Sequence, residues 1–241
     1  MAAPIVGLSK SKLAVNIVAN TGLKNCVGAV ILLHGSGDNG SNFHSWIRDT
    51  LGEELSFPHL QVIYPTAPSR PYTLSGGMLS NVWFDRYALE YETHEDTDSI
   101  NHMTDEISKL IQDQVNKGIP ENRIFLGGFS MGGSMSLHVA FNQHTSIAGV
   151  FTLSSYLYQE SLVYKALQKH KGRLPPYFAC HGDADDLVKY SWGKLTVERL
   201  QEKYNIQTEF HSIPGLDHQL HQGSIKKLKS WILNILPNSD S

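Results

Sequence analysis

The sequence predicts an α/β fold, a mostly parallel central sheet with helices on both faces. Three observations carry that expectation. Short β-type runs alternate with longer stretches of helical periodicity, as a chain of β-α-β units requires. Two runs, Ala29-Val-Ile-Leu-Leu33 and Ile147–Leu153, are nearly continuously apolar, which suits strands buried on both sides. With 241 residues, 41% of them hydrophobic, the chain can bury a large core as one domain over 1-241.

Taken in order, residues 1-12 read as a flexible N-terminal segment, and strands are expected at Leu13–Ala19, Val27–Leu33, Gln61–Tyr64, Arg123–Leu126, Ile147–Leu153, Tyr177–His181 and Gln207–Ile213. The Asn16-to-Asn25 stretch reads as the turn of a hairpin, so the first strand is expected to be antiparallel. Helical patterns cover Phe43–Leu51, Asp96–Lys117, Met131–Asn142, Ser161–Gln168, Ser191–Tyr204 and His218–Leu236. The longest region without clear structure is Pro65 to Glu95, and long loops of this kind are often functional.

Composition bounds the function classes. Charged residues make up 18% without long runs, and the net charge of -3 gives no electrostatic reason to expect nucleic acid or an anionic membrane. No apolar run approaches a membrane span, and neither end carries a secretory, prenylation or retention signal. Cys26 and Cys180 both sit inside apolar runs, which fits a reducing compartment better than a disulfide framework, and the cytoplasm is the expected location.

The chemistry is concentrated at Ile124-Phe-Leu-Gly-Gly-Phe-Ser-Met-Gly-Gly133. An apolar β-type run meets Gly128-Phe129-Ser130-Met131-Gly132, and an amphipathic helical pattern follows at once. This is a G-x-S-x-G nucleophile elbow with a strand before it and a helix after it. A serine hydroxyl is a useful nucleophile only when lifted clear of the backbone within reach of a base. A sharp turn does this by straining the serine, and Gly128 and Gly132 leave the room such a turn needs. An acid and a histidine should follow in that order, on loops after later strands. His181-Gly-Asp-Ala-Asp-Asp186 supplies three acids. Asp183, directly at the strand end, is the better candidate for bonding the loop's own amides, and Asp185, further out, is favoured as the triad acid. Pro214-Gly-Leu-Asp-His218 supplies the base. His218 lies on the loop itself, whereas His211 lies within a strand pattern and His221 a turn later.

A second constellation, Leu33-His-Gly-Ser-Gly-Asp-Asn-Gly40, follows a buried strand and precedes a helix. Such a loop can give one amide of an oxyanion hole, with the residue after the nucleophile giving the other. Those donors would be the backbone N–H groups of Ser36 and Met131. A phosphate loop is disfavoured because no Lys follows and the Walker spacing is absent. His94-Glu-Asp-Thr-Asp-Ser99 has metal-ligand residue types, but reads better as the capped, acidic start of a long helix. No metal site is expected. His34 and His181, at strand ends, read as bonding loop backbone. Trp83 and Phe84, with Leu79, are candidate walls of an acyl pocket, although aromatics are more often plain core.

His34-Gly-Ser-Gly-Asp38, Tyr64-Pro-Thr-Ala-Pro68, Ser80-Asn-Val-Trp-Phe-Asp85, Gly127-Gly-Phe-Ser-Met-Gly-Gly133 and Cys180-His-Gly-Asp-Ala-Asp185 together make the chain resemble the acyl-protein thioesterase/lysophospholipase family of α/β-hydrolases. The resemblance covers nearly the whole chain. It implies an α/β-hydrolase fold, the triad Ser130, Asp185 and His218, the Ser36 and Met131 amides, esterase or thioesterase activity on an S-acylated protein or a small acyl ester, and no cofactor. Thr73-Leu-Ser-Gly-Gly-Met-Leu-Ser80 departs from the more apolar segment of the thioesterases, which favours short acyl chains. The alternatives are a general short-chain carboxylesterase or lysophospholipase, and, from a different class, a catalytically silent fold used as an interaction module.

Overall fold

A computed structural model describes residues 14–18 and 26–238. The N-terminal segment 1-12 and most of the turn expected between Asn16 and Asn25 lie outside the described residues. The main sheet comprises β1 (Ala14–Val18), β2 (Gly28–Leu33), β3 (Leu60–Thr66), β6 (Ile124–Phe129), β7 (Gly149–Leu153), β8 (Tyr177–Gly182) and β9 (Thr208–Ile213), in the order β1-β3-β2-β6-β7-β8-β9. Between β3 and β6 the chain forms a separate two-stranded hairpin, β4 (Ser69–Tyr72) and β5 (Met78–Asn81). Helices α1 (Gly40–Leu51), α2 (Thr97–Asn116), α3 (Met131–Asn142), α4 (Leu162–Leu167), α5 (Tyr190–Tyr204) and α6 (Gln222–Ile235) complete the chain.

All pairings in the main sheet are parallel except that of β1, which runs antiparallel to β3 with Ala14 opposite Thr66. The antiparallel direction is as expected, but a hairpin with the following strand is not what forms. Strand β2 already has β3 on one side and β6 on the other, so the first strand can add only at the sheet edge, beyond β3.

The strands bury both faces because their side chains alternate. Ala29, Ile31 and Leu33 of β2 join Met103 and Ile107 of α2 and Met135 and Val139 of α3 in one core. Val30 and Leu32 point the other way and pack with Phe43 and Ile47 of α1 and Leu228 and Ile232 of α6. Burying each of the larger of these side chains contributes about 1.5–3 kcal/mol. Strand β6 runs three residues beyond the expected Leu126, through Gly127, Gly128 and Phe129. Gly127 is needed for packing rather than for a turn, since a Cβ there would lie 2.2 Å from the Phe151 ring.

Helix starts follow local capping. The side chain of Asn39 accepts from the Asn42 amide ahead of α1, and that of Asp96 accepts from the Ser99 amide ahead of α2. Thus His94–Ser99 is a helix entry, as its composition suggests. The last helix begins at Gln222, four residues later than expected. The difference matters, because His218 is thereby left on a loop. The hairpin β4–β5 lies within the stretch expected to be irregular, and its tip uses Gly76 and Gly77 at φ 64° and 82°, the left-handed region open to glycine.

Parallel strands present their C-terminal ends at one edge, and the loops after β2, β6, β8 and β9 all emerge there. Strand order reverses beside β2, where β3 and β6 leave in opposite directions, and crevices form at such points.

Candidate active site

Ser130 joins β6 to α3 at φ 52°, ψ -119°. Its amide donates to the Leu153 carbonyl at 2.9 Å, and its own carbonyl accepts from Ser134 at 3.2 Å. A non-glycine residue in this region stores about 1–3 kcal/mol of strain, held by the surrounding packing. The flanking glycines are required by the neighbouring backbone. A Cβ on Gly128 would stand 2.3 Å from the Leu33 carbonyl oxygen, and one on Gly132 would stand 2.1 Å from the same atom. The elbow is therefore pressed against the end of β2, which brings the loop carrying Ser36 beside it.

Met131 is the first residue of α3, so its amide has no acceptor within the helix and lies at the positive end of the dipole. Ser36 sits across from it, its hydroxyl donating to the Met131 sulfur at 3.7 Å. The loop is anchored from below by His34. Nε2 of His34 accepts from the Ala67 amide at 3.0 Å, so Nδ1 carries the proton and donates to the Gly35 carbonyl at 2.7 Å. Burial lowers its pKa, against the pull of the Gly35 carbonyl and of Asp38, so a neutral ring in one tautomer supports the loop.

Asp185 is buried on the loop after β8 and fully engaged. One carboxylate oxygen accepts from the Leu187 and Val188 amides at 3.1 and 2.9 Å. The other accepts from His218 Nδ1 at 2.7 Å and faces His181 Nε2 at 3.3 Å. Burial would raise its pKa, but the hydrogen bonds from His181 and His218, the His218 charge and the Val188 amide outweigh this and hold it far below the ordinary carboxylate range. With Nδ1–H committed to Asp185, Nε2 of His218 keeps its lone pair for a proton. The His218 ring packs on Phe129, the residue before Ser130, with centroids 4.7 Å apart.

Asp183 does bond an amide, but of the other loop: it accepts from Gly215 at 2.7 Å and so ties the segment bearing Asp185 to the segment bearing His218. His181 also donates to the Val188 carbonyl at 2.8 Å, bonding loop backbone as its strand-end position suggests. His211 pairs with Glu209 on β9, and His221 precedes α6; neither meets Asp185.

A cavity of about 350 Å³ opens beside Ser130 and Ser36, walled by Trp46, Tyr72, Phe129 and Leu187. The three residues expected to wall an acyl pocket do not line it. Trp83 and Phe84 are wholly buried, and Trp83 Nε1 donates to the His34 carbonyl at 2.8 Å, which makes it a core support of the Ser36 loop. Leu79 is on the hairpin and 73% exposed. Trp46, Leu187 and Arg86 of the actual lining come from stretches read as a helix face, a loop end and an unstructured region, and no local pattern marks them. A buried pair, Glu95 with His138 at 3.0 Å, was equally invisible in the sequence. Among the described residues no group of His, Cys, Asp and Glu is arranged to hold a metal ion, and no helix is long and apolar enough to cross a membrane.

A family model described as Phospholipase/Carboxylesterase matches residues 16–236. The chain is 47% identical over 221 residues to mouse lysophospholipase-like protein 1, covering 92% of this chain and 91% of that protein. It is 33% identical to acyl-protein thioesterase 1 of Cryptococcus neoformans, covering 86% and 92%. Among solved structures it resembles acyl-protein thioesterase 2 of Zea mays, with a TM-score of 0.74, 26% identity and 92% and 99% coverage. Arabidopsis thaliana SOBER1 shares the fold, with a TM-score of 0.77 at 22% identity over 87% of this chain and 99% of that one.

Proposed function

The chain belongs to the Phospholipase/Carboxylesterase family of α/β-hydrolases, and we propose that it cleaves acyl thioesters and esters through an acyl-enzyme on Ser130, within one hydrolase domain. His218 Nε2 takes the Ser130 proton as the hydroxyl oxygen attacks the acyl carbonyl. Asp185 holds the imidazole in the required tautomer and stabilises the imidazolium. The developing oxyanion rests on the Ser36 and Met131 amides, each such donor contributing roughly 3 kcal/mol to transition-state stabilisation. The thiol or alcohol departs with the proton from His218, and water then repeats the sequence to release the acid.

The 2.7 Å bond from His218 to Asp185, at the same sheet edge as the strained Ser130, is the observation that carries this reading. The acyl-protein thioesterase names among the relatives support an S-acylated protein cysteine as substrate, and the two cysteines inside apolar runs support the cytoplasm as the place where it is met. The size of the cavity supports short acyl groups, with carboxylesterase activity on small esters as the second reading. Purified protein tested against S-acylated peptides, small acyl esters and lysophospholipids decides between these. Thioester cleavage is expected to be the most efficient; turnover confined to lysophospholipids would reject the substrate class.

A further inference from the structure

Arg86 is 3% exposed, yet it lines the cavity beside Ser130. Its guanidinium lies over the rings of Phe84, Tyr156 and Tyr158, at 5.0, 5.5 and 5.8 Å from their centroids. One amino group donates to Ser134 Oγ at 3.2 Å, while the buried Nε–H has no hydrogen-bond partner. A guanidinium cannot shed its proton, and a buried charge without a counterion is costly. The nearby carboxylates are committed elsewhere. Asp85 accepts from the Thr73 amide and hydroxyl at 2.9 and 2.6 Å, and Glu95 pairs with His138. Asp38 lines the same cavity without forming an ion pair with Arg86. Aromatic faces stabilise the cation but bring no counter-charge.

This setting matches one chemistry. A carboxylate is the counterion that a guanidinium on a cavity wall lacks, and it can accept from amino N–H groups not given to Ser134. The distance from the nucleophile is constrained by α3: Ser134, which receives the Arg86 bond, donates its amide to the Ser130 carbonyl at 3.2 Å. The guanidinium is thus one hydrogen bond from a side chain a single helical turn beyond the elbow, on the wall of the same cavity. A separation of that order is within reach of a short acyl chain of about four or five carbons.

We propose that Arg86 is the anchor for a carboxylate at the far end of the acyl group, so that the preferred substrates are half-thioesters and half-esters of short dicarboxylic acids such as succinate and glutarate. The inference rests on Ser130 as the nucleophile and names the acyl class that site accepts. The terminal carboxylate keeps its charge throughout. Ser130 displaces the thiol, which leaves with a proton, and water releases the free diacid.

The test compares a glutaryl thioester with its neutral isostere, in which an isopropyl group replaces the carboxylate, in wild type, Arg86→Met and Arg86→Lys, each checked for folding by thermal melting. Wild type is expected to favour the glutaryl substrate at least about tenfold in kcat/KM. That ratio should fall about a hundredfold in Arg86→Met, with part of it retained in Arg86→Lys, which keeps the charge without the guanidinium. A wild-type preference for the isostere, or one ratio in all three proteins, overturns the proposal. Binding of free glutarate to Ser130→Ala and Ser130→Ala/Arg86→Met, by calorimetry, separates the two claims. Glutarate binding weakened at least tenfold by loss of Arg86, together with a folded wild type that cleaves neither substrate, would uphold the anchor and reject the nucleophile. Turnover without dependence on Arg86 would do the reverse.

Discussion

Ser130 is held at φ 52° by backbone bonds on both sides, so its hydroxyl contributes nothing to the elbow itself. The groups around Asp185 are different, because each of its bonds depends on charge. Asp185→Asn is expected to lower kcat by on the order of 10⁴, since an amide can present the wrong donor to His218; steady-state kinetics on a short thioester checks this. Its carboxyl is held below the ordinary range, so it adds stability that is fully present above the unfolded value of about 3.9 and lost as pH falls from there towards the folded value. The melting-temperature gap between wild type and Asp185→Asn should therefore be present at pH 7 and shrink as the pH drops below about 4. A gap that widened in acid would mean that the charge is not what is stabilised. Asp183→Ala removes one exposed bond to Gly215 and should cost about 1 kcal/mol of stability, with a far smaller kinetic effect than Asp185→Asn. Reversed kinetic penalties would make Asp183 the acid.

Elements near the site were legible to the degree that local chemistry fixes them. The elbow announced itself because steric need and sequence pattern coincide at Gly128 and Gly132, and the starts of α2 and α4 were visible in Asp96 and Ser161. The hairpin β4–β5 was not, because its strands are four residues each and largely exposed, without the alternation that marks a half-buried strand. The partner of β1 was not legible either, since it depends on which sheet edge is vacant. The cavity lining was hidden for a related reason: Trp46, Arg86 and Leu187 come from three distant segments and meet only in the fold. Glycines separate two causes of damage. Gly128→Ala places a methyl against backbone that cannot yield and should cost about 3 kcal/mol or more. Gly77→Ala meets open space and should cost only about 1–2 kcal/mol, from its left-handed φ. Chemical denaturation of both variants measures the difference.

At the scale of the whole molecule, one sheet edge gathers the loops after β2, β6, β8 and β9, and the cores on the two sheet faces hold those loops in fixed relation. Arg86, set among its aromatic rings, forms part of the wall of a cavity of about 350 Å³ beside Ser130. Each methylene buried adds about 0.8 kcal/mol, or roughly fourfold in kcat/KM, only while there is space for it. Neutral acyl esters, assayed as monomers, should therefore peak at short chains and decline beyond, whereas a rise through palmitoyl length would reveal a deep channel.

All of this depends on Ser130 carrying the acyl group. The direct measurement is intact-mass spectrometry with peptide mapping after reaction of the folded protein with a fluorophosphonate probe. One adduct per chain, located on Ser130 and absent in Ser130→Ala, is the predicted result. A folded wild-type protein that takes no adduct, or takes it on another residue, would contradict the account.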